Sequence, residues 1–228
     1  MAFIVNVVVT REVGKNESLT SWLPPESTVV EVPLTTTRYF DLDAVRAALD
    51  SSPSNGRFRS LVVTSERSAD YLATALRASA PDVEVFSVGP TTTTALTTRN
   101  LDVHAQAEGP SVSLAPRITR GPVLLLGAAS MREELGAALR EKGLAVELIS
   151  CYETVGRKLD PAEIESLRDA DVVFIGAPSA WAVAREFVRT AAWVVVPGAS
   201  TGAVVRDDHP RVLEGWGPDL RTRLGELS

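Results

Sequence analysis

The sequence predicts an α/β protein made of two similar doubly wound parallel-sheet lobes. Three observations point there. Short runs rich in Val and Ile recur between helix-like segments. Several of these runs are apolar on both faces, as strands of a parallel sheet covered by helices must be. Two different strand–turn–helix motifs also recur, in the same order, in the second half of the chain.

Taken in order, the apolar runs predict strands over 3–9, 28–32, 61–64, 83–88, 101–105, 123–126, 145–150, 172–175 and 193–196. Between them, helical spacing and start signals predict helices over 41–49, 68–78, 92–98, 131–141, 161–167, 179–189 and 218–227. The segment 12–25 is irregular and carries no long helix. Strands alternating with helices imply a doubly wound sheet, or a pair of them.

The internal repeat decides for two. Leu61-Val62-Val63-Thr64-Ser65-Glu66-Arg67-Ser68-Ala69 is a strand, a small-residue turn and a helix start, and Val172-Val173-Phe174-Ile175-Gly176-Ala177-Pro178-Ser179-Ala180 has the same grammar. Further on, Val88-Gly89-Pro90-Thr91-Thr92 is echoed by Pro197-Gly198-Ala199-Ser200-Thr201. Thr64 and Gly176 stand 112 residues apart, and Gly89 and Gly198 stand 109 apart. A near-constant offset of half the chain means duplication, because chance resemblance would not keep both order and spacing.

The composition narrows the function classes. A chain of 228 residues can bury one large core or two smaller ones. A net charge of −6, with arginines scattered along the length, argues against a nucleic-acid binder. No apolar run reaches the ~20 residues that span a bilayer, and the first residues read as a strand rather than a secretion signal. One cysteine, Cys151, excludes an intramolecular disulfide, so the expected compartment is the cytoplasm.

The usual catalytic groups are scarce. His104 lies in a strand pattern and His209 in a polar loop before Pro210, neither at metal-ligand spacing. No Gly-x-Ser-x-Gly elbow, Walker-type phosphate loop or Gly-x-Gly-x-x-Gly fingerprint occurs, which disfavours hydrolase, nucleotide and nicotinamide chemistry. Hydroxyls and glycines do stand where strands give way to helices: Thr64-Ser65, Thr91-Thr92, Ser130, Ser179 and Ser200-Thr201. Any one of them is simply an N-cap. Several together at the carboxyl edge of a parallel sheet suit a polyanion held by backbone amides and hydroxyls. Tyr152, in the extended run Ile149-Ser150-Cys151-Tyr152-Glu153-Thr154, is either an ordinary strand tyrosine or a phenol able to donate a proton into a cleft. Cys151 beside it reads as a small buried residue.

In order and spacing these segments resemble the uroporphyrinogen-III synthase family. The family pattern runs Thr-Ser-x-x-Ala, Gly-Pro-x-Thr, Tyr-x-Thr and then second-lobe versions of both turns. Here it stands as Thr64-Ser65-Glu66-Arg67, Gly89-Pro90-Thr91-Thr92, Tyr152-Glu153-Thr154, Ala177-Pro178-Ser179-Ala180 and Gly198-Ala199-Ser200-Thr201. Thr10-Arg11, Glu31-Val32-Pro33-Leu34 and Val123-Leu124-Leu125-Leu126-Gly127 followed by Arg132 match as well, so the resemblance covers nearly the whole chain. Ala177 departs from it, standing where the family often has serine.

The resemblance implies two flavodoxin-like lobes joined by a two-stranded linker, with the active site in the cleft between them. The first lobe would combine 1–34 with 156–228, the second would hold 37–150, and the linkers would lie near 33–38 and 150–155. It implies cyclisation of hydroxymethylbilane to uroporphyrinogen III, in which the terminal hydroxyl leaves as water and ring D is inverted through a spiro intermediate. The substrate carries eight carboxylates and cyclises unaided to the uninverted isomer, so the enzyme's task is mainly to hold one folded conformer. No cofactor and no metal is implied, and the protein would be a monomer with neither nucleic-acid nor membrane partners. By the same resemblance Tyr152 assists departure of the hydroxyl. Thr92, Ser200 and Thr201 would line the cleft, the turns carrying Thr64, Ser65, Arg67, Gly89, Thr91, Ser179 and Gly198 would face it, and Arg11 and Arg132 would meet carboxylates. Two other readings compete: a non-catalytic module of the same ancestry that binds a tetrapyrrole or other polycarboxylate, and an unrelated flavodoxin-like sensor domain. Retention of Tyr152 and both glycine turns favours the enzyme.

Overall fold

The computed structural model describes residues 5–51, 57–77, 79–131 and 133–225. The chain divides into two compact units, Met1–Thr36 with Thr154–Ser228, and Thr37–Glu153. In chain order, the first unit opens with β1 (Asn6–Val9), the single-turn helix α1 (Glu17–Thr20) and β2 (Thr28–Glu31). β3 (Thr35–Tyr39) leads into the second, which continues through α2 (Leu42–Asp50), β4 (Phe58–Val63), α3 (Ala69–Arg77), β5 (Ser79–Ser87) and α4 (Pro90–Thr97). It ends with β6 (Ala105–Gln106), β7 (Val123–Ala128), α5 (Glu134–Glu141) and β8 (Val146–Gly156). The first unit is then completed by α6 (Pro161–Asp169), β9 (Val172–Phe174), α7 (Pro178–Ala184), β10 (Trp193–Val196), α8 (Ala199–Arg206), β11 (Val212–Glu214) and α9 (Leu220–Gly225).

Each unit carries one sheet. The first has the order β11-β10-β9-β1-β2, and the second β3-β8-β7-β4-β5-β6. Within the first, the neighbours β2-β1-β9-β10-β11 all pair in parallel. So do β8-β7-β4-β5-β6 in the second. Placed side by side, the two runs correspond strand for strand, with β3 added beyond β8. Numbering the positions 1 to 5 as in a flavodoxin-like sheet, both read 2-1-3-4-5. Along the chain the positions therefore run 1-2-3-4-5 twice. The middle five strands build one lobe and the outer five the other, so each lobe takes its positions 1 and 2 from one repeat and 3 to 5 from the other.

The alternation of side chains explains why the strands read as continuous apolar runs. In the second unit Leu61, Val63, Leu124 and Leu126 enter one buried cluster, while Val62, Val123 and Leu125 enter another on the opposite face. In the first unit Val8, Val173, Val194 and Val196 face one cluster, and Val7, Val9, Phe174 and Val195 the other. A strand with helices on both faces has no polar side to show.

Several elements differ from the sequence expectation. β11 is not expected, and β3 is expected only from the family resemblance, as one strand of the linker near 33–38. Thr35–Tyr39 has no apolar run, and β11 is only three residues long. The strand expected over 101–105 shrinks to Ala105–Gln106. The strand expected to stop at 150 continues to Gly156 because β8 gains β3 as a neighbour. The helix expected over 131–141 begins at Glu134, and that expected over 179–189 ends at Ala184, where Phe187 and Val188 both turn their N–H groups back to the Ala184 carbonyl. Parts of the runs expected over 3–9, 68–78 and 218–227 lie outside the described residues.

Candidate active site

The central strands of each lobe end in a threonine that ties them together. In the first lobe Thr10, 2% exposed after β1, donates its hydroxyl to the Phe174 carbonyl at 2.5 Å. In the second, Thr64 after β4 donates to the Leu126 carbonyl of β7 at 3.1 Å. These are the strands at positions 1 and 3, between which the winding direction reverses. Ligands of open α/β sheets bind beyond the carboxyl ends of that pair.

In the second lobe that edge holds a pocket of about 390 Å³ whose walls include Thr64, Gly109, Ser111, Met131, Glu134 and Tyr152. Thr64 and Met131 close round Gly127, so the strand passes where no β-carbon fits. A hollow of about 470 Å³ in the first lobe takes in Asn6, Val30, Glu165 and Asp169, at the amino-terminal end of β1. It lies at the wrong edge for a switch-point site.

Tyr152 is 6% exposed and belongs to the second lobe's core. Its ring lies 6.2 Å from that of Tyr39, tilted by 49°, and the Arg67 guanidinium stands 5.8 Å from its centroid. Among the described residues its hydroxyl takes part in no hydrogen bond. The ring thus has both Tyr39 and Arg67 as neighbours. Neighbouring Cys151 is fully buried, and desolvation pushes its thiol from an ordinary 9.0 up to about 11. The neutral thiol is therefore favoured by the fold. That contribution is complete below about pH 9, where the unfolded chain also keeps the proton, and is lost as pH climbs toward 11. Iodoacetamide at pH 8 should label Cys151 only after denaturation; labelling of the native protein at the rate of a free thiol would contradict this burial.

The remaining expected residues fall into two groups. Some are occupied internally. Ser65 caps the turn 66–68 by accepting from the Arg67 N–H at 3.3 Å, and Thr64 is the strand clamp already described. Others sit at helix starts that no side chain caps. α4 follows Gly89 at φ 84°, a left-handed conformation suited to glycine; α7 follows Ala177; α8 follows Gly198. All three helices start directly beyond β5, β9 and β10, so their first-turn N–H groups open at the carboxyl edge without a competing side-chain acceptor. Thr91, Ser179 and Ser200 are exposed there, whereas the equivalent pair Thr92 and Thr201 are 2% and 4% exposed. Arg11 is half-buried with its guanidinium 5.9 Å from the centre of the Trp216 ring. Arg132 lies outside the described residues.

Sequence reasoning missed four contributors. Thr93, rather than its neighbours, fixes the start of α4: its hydroxyl lies 2.6 Å from that of Ser87 and donates to Gln106 Oε1 at 2.5 Å. In a run of four threonines nothing marks the one that faces inward. Tyr39 and the loop 109–111 come from distant segments. Trp216 covers Arg11 and keeps its indole nitrogen buried without a partner among the described residues. The histidines are structural. His209 is buried with Nε2 2.9 Å from the Ala192 carbonyl, and His104 packs edge-on against Phe86. No metal-holding cluster occurs among the described residues, and no described helix is long and apolar enough to cross a membrane.

Two 2-1-3-4-5 sheets with uncapped helix starts at their carboxyl edges define a two-lobed, flavodoxin-like α/β protein. The chain belongs to the uroporphyrinogen-III synthase family, whose model (uroporphyrinogen-III synthase HemD) matches residues 27–208. Solved structures share the fold. A uroporphyrinogen-III synthetase from Helicobacter pylori is 16% identical over 98% of both chains, with a TM-score of 0.66. A mutant uroporphyrinogen III synthase from Thermus thermophilus is 17% identical over 97% of both, with a TM-score of 0.60. No curated protein sequence matches the chain.

Proposed function

We propose that the protein is a carbon–oxygen hydro-lyase that converts hydroxymethylbilane to uroporphyrinogen III, inverting ring D and releasing water, in tetrapyrrole and haem biosynthesis. The match to the family model over residues 27–208 carries this reading. Tyr152 supports it, because a phenol with no hydrogen bond among the described residues stands on the wall of a switch-point pocket.

In this reading Tyr152 gives its proton to the terminal hydroxyl, which leaves as water. The resulting azafulvene is attacked by ring D, and the proton released when the rearranged macrocycle regains its last aromatic pyrrole restores the phenol. The substrate's carboxylates meet the first-turn amides behind Gly89 and Gly198 and the hydroxyls of Thr91, Thr92, Ser200 and Thr201. The turns at Thr64, Ser65, Arg67 and Ser179, with Arg11 and Arg132, complete the grip. An acidic protein binds a polyacid in this way because backbone dipoles and local cations act at contact distance, whereas net charge acts through screened solvent. The protein works as a cytoplasmic monomer.

Given freshly made hydroxymethylbilane, the purified protein should yield mostly the III isomer after oxidation and chromatography. Isomer I at the uncatalysed rate would defeat the proposal.

A further inference from the structure

Tyr39 is exposed in a place where an aromatic ring needs a reason. It is 54% exposed at the end of β3, the edge strand of the second lobe. Its backbone is nevertheless firmly held. Arg38 pairs with Glu153, Tyr39 packs against Tyr152, and the Phe40 N–H donates to the Cys151 carbonyl at 2.9 Å. Numbers rise on one strand as they fall on the other, the register of an antiparallel pair. The Tyr71 hydroxyl adds a bond to the Phe40 carbonyl at 2.5 Å. The flanking residues on both sides are thus anchored while the ring between them faces water. An exposed aromatic on an edge strand gains little burial energy, and this one stands on an anchored segment against the ring of Tyr152, whose side chain lines the pocket.

We infer that Tyr39 is a substrate-binding residue: its exposed ring face stacks with a pyrrole of the linear tetrapyrrole. This rests on the proposed cyclisation and adds to it a recognition element that the turn motifs do not contain. Pyrrole is a flat, electron-rich ring, and offset stacking on tyrosine orients it without a hydrogen bond or a charge. Tyr152 lines the pocket, and Tyr39, more than half exposed, stands against its ring. The simpler role for Tyr39, a cover over the Tyr152 ring, predicts different kinetics.

The test is steady-state turnover of hydroxymethylbilane by Tyr39→Ala and Tyr39→Phe, scored for KM, kcat and isomer ratio, with circular dichroism to confirm folding. Stacking predicts that Tyr39→Ala raises KM about tenfold, the size of one aromatic contact, and increases the share of isomer I while kcat stays within about twofold. Tyr39→Phe keeps the ring and should restore KM. An unchanged KM in Tyr39→Ala, or a fall in kcat alone, would overturn the inference, the latter assigning Tyr39 to holding Tyr152. If the wild-type protein makes only isomer I, the parent proposal fails and this one with it; a wild type that makes isomer III beside an unaffected Tyr39→Ala sinks this inference alone.

Discussion

Tyr152→Phe should slow formation of uroporphyrinogen III by about 100-fold, the lower end of what a positioned proton donor contributes, with KM nearly unchanged. The fold should survive. The substitution removes only a hydroxyl, and that hydroxyl has no hydrogen bond among the described residues. The packing against Tyr39 and Arg67 belongs to the ring, which remains. Because the bilane closes spontaneously without ring inversion, the variant's product mixture should turn over to isomer I as the catalysed path weakens. Undiminished isomer III turnover would make Tyr152 a packing residue and leave orientation as the whole of the catalysis.

The second large effect is on stability. Gly127→Ala should destabilise the protein by about 1–3 kcal/mol, as overpacking of a closed site does. For a chain of this size that lowers Tm by roughly 2–12 °C. The new β-carbon would overlap Thr64 Oγ1 and lie 2.9 Å from Met131 Sδ. Methionine can swing aside, but Thr64 is short and bound to the Leu126 carbonyl. Removing the obstructing oxygen should relieve the clash, so Thr64→Ala combined with Gly127→Ala should be more stable than the sum of the single effects implies. Thermal unfolding of the four proteins measures the coupling. Strict additivity would show that Thr64 is not what Gly127 makes room for.

How much of this the sequence discloses depends on what holds each element. Strands such as Leu61–Val63 and Val172–Phe174 are legible because both faces are buried, which forces an apolar run. β3 follows from the family resemblance and from no local pattern: Thr35–Tyr39 is kept by its neighbour β8 and by the Arg38–Glu153 pair, and neither leaves a local signature. The turn motifs are legible as motifs, but not the duties within them. Thr64 and Ser65 carry the family pattern, yet their hydroxyls serve the fold as strand clamp and turn cap. Thr93 does the anchoring that a reader would give equally to Thr91 or Thr92. Tyr39 is the clearest gap, since 113 positions separate it from Tyr152 and only the pairing of two strands brings the rings together.

The exchange of halves between the two repeats also sets a timetable for synthesis. Every strand of the inner sheet has been translated once Gly156 is made, so that lobe can close while the ribosome is still working. β1 is made before the second lobe, yet it must wait for β9, which begins at Val172, before Val7, Val8 and Val9 are covered. The valines of β1 thus stay without that neighbour for as long as the second lobe is being made.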